Sequence, residues 1–180
     1  MNIKTFWELI ENAKQSSGGD PNKQAELLVE ALTELSESEI LAYQTIFDNL
    51  KDEAYTAELW EMAYILGGGC SDDGFMDFRA WLIGQGKNIF KATLDNPESI
   101  VDIVDVGQET KSEALLYVAQ EAYELNTGKD SDTMPKRVNP SPRLKGKFSP
   151  NENSVLKRFP HAAAKFWKYW QDYHENTIKE

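Results

Sequence analysis

The chain has 180 residues, 41% of them hydrophobic, and a net charge of -11, enough apolar material for one buried core and the wrong sign for generic phosphate or anionic-membrane binding. It contains no run of about 18 apolar residues, and its N-terminus, MNIKTFWELIEN, is charged and periodic, so neither a membrane span nor a secretory signal is expected and the expected compartment is the cytoplasm. The single cysteine, Cys70, excludes an internal disulfide framework and a cysteine-based zinc site.

The first helix is predicted to start at Thr5, where Thr5 to Glu8 has capping-box spacing, with Phe6, Leu9, Ile10 and Ala13 as its buried stripe. Ser16 to Gly19 ends it. Asp20 and Pro21 then supply an N-cap acid and a first-turn proline for a helix to about Leu35, burying Ala25, Leu28, Leu32 and Leu35. A second capping box, Ser36 to Glu39, starts a helix with Ile40, Tyr43, Phe47 and Leu50 on one face. The run from Glu53 to Leu66 carries so little polar surface that it is predicted as a helix central to the core. Gly67, Gly68 and Gly69 stop it, and Ser71, Asp72 and Asp73 cap the next helix, about Gly74 to Ile83, at the positive end of its dipole. A short helix with Ile89, Phe90 and Leu94 follows the break at Gly84 to Gly86. Asn96-Pro97-Glu98 is another start signal, after which Ile100 to Val106 reads either as a short helix or as an extended run. Ser112 to Asn126 is a clear helix with Leu115, Leu116, Ala119, Ala122 and Tyr123 inward. Between Lys129 and Asn153 the pattern vanishes amid Pro135, Pro140, Pro142 and Pro150, an extended loop or linker. The last helix, about Pro160 to Asn176, carries Phe166, Trp167, Tyr169, Trp170 and Tyr173, too many aromatics for one narrow stripe, so that part of this ladder is expected to form a contact surface.

Phe6-Trp7, Leu59-Trp60, Gly68-Gly69-Cys70-Ser71-Asp72-Asp73, Phe75, Asp77-Phe78-Arg79 and Trp81-Leu82-Ile83 together resemble the bacterial domain of unknown function 4240. The resemblance covers roughly Met1 to Leu125, and its most specific part is the FxDFRxWLI element after the glycines. It implies a shared fold and assigns no catalytic residue.

Candidate chemistry gathers in the same stretch, with Asp72, Asp73, Asp77, Arg79, Trp60 and Trp81 as the candidate binding residues. Asp72, Asp73 and Asp77 offer oxygen ligands, but their order is not an alternating calcium-loop pattern and helix capping accounts for the first two. Arg79 shares a face with Phe75, Phe78 and Leu82, where a charge needs a partner; the first choices are Glu58 and Glu61 on the preceding helix, making Arg79 a structural clamp. The other reading of Arg79 is an anion-binding fork. Cys70 reads as a small buried cysteine rather than a nucleophile, with His161 and His174 far away in sequence. No GxGxxG, phosphate-loop lysine or GxSxG occurs, so no cofactor or metal is expected.

Charge is unevenly spread: residues 1 to 133 carry 9 basic and 26 acidic side chains, net -17, whereas residues 134 to 180 carry 10 and 4, net +6. Lys136, Arg137, Arg143, Lys145, Lys147, Lys157 and Arg158 have the composition of a nucleic-acid arm, yet an acidic body in the same chain is a neighbour at high effective concentration, and docking onto it is the expected fate. The expected fold is all-α: a single-domain antiparallel bundle of about seven or eight helices, with an acidic body over 1–128, a proline-containing basic loop over 129–153 and an aromatic C-terminal helix over 154–180 that returns to the body. The expected function is that of a non-enzymatic adaptor or immunity-type bacterial protein that recruits a basic protein partner, nucleic acid being disfavoured; the alternative is a small-molecule or metal-dependent enzyme with its site near Asp72, Asp73, Asp77 and Arg79.

Overall fold

The computed structural model describes residues 1–135, 142–149 and 151–177, with side chains through Tyr173. Lys136, Arg137, Pro140, Pro150 and the His174 side chain, all named above, lie outside the described residues. The fold is all-helical: α1 (Ile3–Ser17), α2 (Pro21–Thr33), α3 (Glu37–Glu53), α4 (Ala57–Gly67), α5 (Asp72–Gly84), α6 (Lys87–Asp95), a 3-10 helix (Pro97–Asp102), α7 (Ala114–Thr127), a 3-10 turn (Ser131–Thr133), α8 (Glu152–Arg158), and a last helix built of α9 (Pro160–Ala162), a π-helical stretch (Ala163–Trp167) and α10 (Lys168–Thr177). Among the described residues, no helix is long and apolar enough to cross a membrane.

Local chemistry sets most of these boundaries. Asp20 caps α2 by accepting from the Asn22 and Lys23 amides, with Pro21 in the first turn. The Glu39 carboxylate reaches back to the Ser36 amide and hydroxyl at the start of α3. Ser71 caps α5 by accepting from the Gly74 amide at 3.1 Å. Two expected starts are displaced. Asn2, not Thr5, caps α1: its Oδ1 accepts from the Lys4 and Thr5 amides at 2.9 and 3.0 Å, drawing Thr5 into the first turn. The helix expected from Glu53 begins at Ala57 instead, because α3 runs through Glu53 and Thr56 then accepts from the Leu59 amide. The run after Asn96 resolves into the 3-10 helix, in which Ile100 and Val101 are buried, while Ile103 beyond it faces solvent.

The core is built around α5, which packs on α1, α2, α3, α4, α6 and α7. Phe75, Phe78, Trp81, Leu82 and Ile83 are all buried, each contributing about 2 kcal/mol through the burial of its side chain. At the C-terminal end of α5 the neighbours press so close that a Cβ on Gly84 would stand 2.7 Å from the Leu115 side chain. Gln24, buried on α2, donates to the Gly84 carbonyl at 2.9 Å and to the Ile10 carbonyl at 3.3 Å, tying α1, α2 and α5 at one point. Asn126 on α7 likewise donates to the Thr33 and Leu35 carbonyls, closing the free end of α2.

The segment after Pro142 is attached to α4 along its length. The Ala57 amide donates to the Lys145 carbonyl at 2.8 Å and the Lys145 amide to the Tyr55 carbonyl at 3.1 Å, a short parallel backbone pairing. Phe148 packs on Trp60 at 5.2 Å, Trp167 stacks on Tyr64 at 5.6 Å, and the Trp170 indole donates to the Leu66 carbonyl at 2.9 Å. A carboxylate oxygen of Glu98 accepts from the His161 and Ala162 amides, capping the last helix from the 3-10 helix. The apolar surplus of α4 is thereby explained: one side meets α5 and another lies under the C-terminal segment, so α4 is buried within the core as its composition requires. The expected patternless stretch over 129–153 is correspondingly attached to the body at Lys145, Phe148 and Ser149.

Candidate functional site

The glycine and aspartate loop between α4 and α5 is closed by backbone and indole hydrogen bonds. Gly68 adopts the left-handed conformation, φ +63°, that ends α4, and the Gly69 amide donates to the Tyr64 carbonyl at 2.9 Å. The Trp60 indole donates to the Cys70 carbonyl at 3.1 Å. With the Trp170 indole on Leu66, two tryptophans take up carbonyls around this loop. Asp72 and Asp73 are exposed in the first turn of α5, where their charge favours the helix dipole. Cys70 is half-buried, and burial pushes its thiol up to about 11, with Asp77 and Asp72 acting in the same sense against Lys111. Such a thiol is a poor nucleophile near neutrality.

Asp77 and Arg79 serve different surroundings. Asp77 lines a groove of about 470 Å³ together with Pro21, Glu109, Lys111, Glu113 and Tyr117. Its carboxyl is held above the usual range, first by desolvation and then by the Glu113 charge, with Lys111 opposing. Arg79 turns instead toward the α3–α4 connection. Its Nη1 donates to the Lys51 carbonyl at 2.9 Å and its Nε to the Phe75 carbonyl at 3.3 Å. The guanidinium carbon lies 4.6 Å from the Tyr55 ring centroid and 5.0 Å from that of Phe75. Burial lowers its pKa, while Tyr55 and Asp52 support the charge. The expected partners, Glu58 and Glu61, are thus replaced by a carbonyl near the end of α3, where the helix dipole is negative, and by two aromatic faces.

Trp81 is 3% exposed and packs against Phe78 at 5.8 Å, a core residue. Trp60 is half-buried between Phe75, at 4.9 Å, and Phe148. The six sequence-derived candidates therefore do not converge on one cleft: Asp77 faces the groove, Arg79 and Trp60 share the aromatic cluster of Tyr55 and Phe75, Trp81 is in the core and Asp72 and Asp73 face solvent. Among the described residues, no group of three or more His, Cys, Asp or Glu side chains is placed to hold a metal ion.

The residue with the most demanding environment is Glu61. Its side chain is 0% exposed, on the face of α4 that the C-terminal segment covers. One carboxylate oxygen accepts from the Ser149 amide at 2.8 Å and the other from Arg158 Nη1 at 2.8 Å. Both partners come from the same C-terminal segment. The signal for this arrangement was an acid between Trp60 and Met62 on a largely apolar helix, but its partner lies so far along the chain that no local spacing announces it.

No curated protein and no solved structure matches the chain. The profile of the family described as protein of unknown function, DUF4240, matches residues 1–125; this covers α1 through most of α7, including α4 and the glycine loop, and stops before the segment that covers α4. The chain is a member of the DUF4240 family.

Proposed function

We propose that the protein is a non-enzymatic protein-binding module of the adaptor or immunity type, acting in a bacterial cytoplasm, whose acidic body recruits a basic partner. The observation that carries this reading is the pairing of Glu61 with Arg158: the acidic body, net -17, holds a segment of its own chain from the part that is net +6. Within the body itself, Lys129 pairs with Glu37 at the surface, at 3.1 Å. Excess negative charge steers a cationic protein into encounter and repels nucleic acid. The test is the association rate with a basic partner recovered by cross-linking in cells and measured as salt is raised. It should fall steeply as the Debye length shrinks; a rate indifferent to salt overturns the proposal.

A second reading, a small-molecule enzyme or binding site, draws support from the groove, where the Asp77 carboxyl is raised beside Lys111. That site would contain Asp77 and Lys111 without Arg79.

A further inference from the structure

We propose that the covered face of α4 is a peptide-binding groove, occupied here in cis by the C-terminal segment, and that the basic partner inserts a segment of the same chemistry in its place. This rests on the protein-binding reading above and names its site.

The contacts along α4 are those of ligand recognition by a receptor surface. At one end the connection before α4 offers backbone groups, the Tyr55 carbonyl and the Ala57 amide, to an extended strand through Lys145. Main-chain pairing of this kind accepts many sequences, and side-chain pockets then select among them. The first pocket is the Trp60 face, filled by Phe148. The second is Glu61, which is inaccessible to water while the segment is docked and takes one backbone amide and one arginine. Tyr64 and the Leu66 carbonyl receive Trp167 and Trp170 at the far end. All the receiving groups lie within the family-matched residues 1–125, and the whole occupant lies after them.

Charge and chemistry define the ligand: an extended stretch with an aromatic side chain, then a short helix that ends on an arginine, then a helix that carries further aromatics. A fully buried carboxylate discriminates strongly for such an arginine, because any ligand lacking it strands an unpaired charge. The cis segment competes at high effective concentration, so a partner must bind more tightly or meet a chain whose own segment is loosened.

The test uses the full chain and a fluorescent peptide of its own residues 142–173. Arg158→Ala in the protein loosens the cis occupant and should raise peptide affinity over wild type by about tenfold. Phe148→Ala, which removes a half-exposed aromatic and leaves no stranded charge, should act in the same direction, with unchanged far-UV circular dichroism showing that the fold is kept. A peptide carrying its own Arg158→Ala change, or a scrambled peptide, should not gain. Equal binding of the scrambled peptide overturns the groove while leaving charge-based recruitment intact. Failure of both protein variants to bind the native peptide better than wild type overturns it outright. Tight, sequence-specific peptide binding in a protein that shows no salt-dependent basic partner keeps the groove and removes the broader reading.

Discussion

Arg79 holds its charge in a half-buried site, supported by Tyr55 and Asp52. It closes the gap between α5 and the end of α3 through one carbonyl and two ring faces. Arg79→Met keeps the volume and loses these interactions, so we expect a stability loss of about 2 kcal/mol, the scale of a charge-assisted hydrogen bond with its cation–π contacts. Denaturant unfolding checks this; a variant as stable as wild type would show that Arg79 is dispensable as a clamp. Asp77 works in the opposite sense. Its carboxyl is raised in the folded chain, so the folded state retains a proton that the unfolded state has already released. The contribution of Asp77 to stability is therefore greatest below the ordinary aspartate value and declines as pH rises through the raised one. Asp77→Asn removes that decline, and its stability relative to wild type should grow across this window in urea titrations at a series of pH values. The sequence made Arg79 conspicuous because a charge on an apolar stripe is a local anomaly. It could not reveal the partners, since a backbone carbonyl and two rings bear no charge signature and the supporting Asp52 lies far back along the chain at the end of α3.

Helices whose ends are governed by nearby side chains were legible. Asp20, Ser36 and Ser71 sit where a local rule puts them, and the stripes of α3 and α7 are buried as their spacing requires. At α1 the cap is the upstream Asn2 rather than Thr5, which adds Ile3 and Lys4 to the helix. The position of α4 was less legible, since uniform apolarity says that a helix is covered but not by what. Gly68 joins the two coverings. Its φ of +63° already disfavours a side chain, and a Cβ there would stand 2.6 Å from Trp170 Cγ. Gly68→Ala should therefore cost about 1 to 2 kcal/mol from the left-handed backbone alone. It should also displace Trp170, seen as a red shift in tryptophan emission and faster proteolysis after Pro142. Loss of stability without any change at the C-terminal segment would contradict the contact.

At the scale of the molecule, charge asymmetry was the most informative property of the sequence. An acidic body and a basic end attract, and the structure realises this at a buried acid on α4 that pairs with Arg158. The π-helical stretch Ala163–Trp167 adds a constraint of phase. A π turn holds one residue more than an α turn, and one residue rotates a helix by roughly 100°, or about a quarter-turn. Upstream of it the helix is anchored by Glu98, and downstream Trp170 must face the Leu66 carbonyl. A regular helix from the same anchor would carry Trp170 around to another side. The last helix is thus clocked at both ends, and evolution can repaint its outward face far more freely than it can change its length.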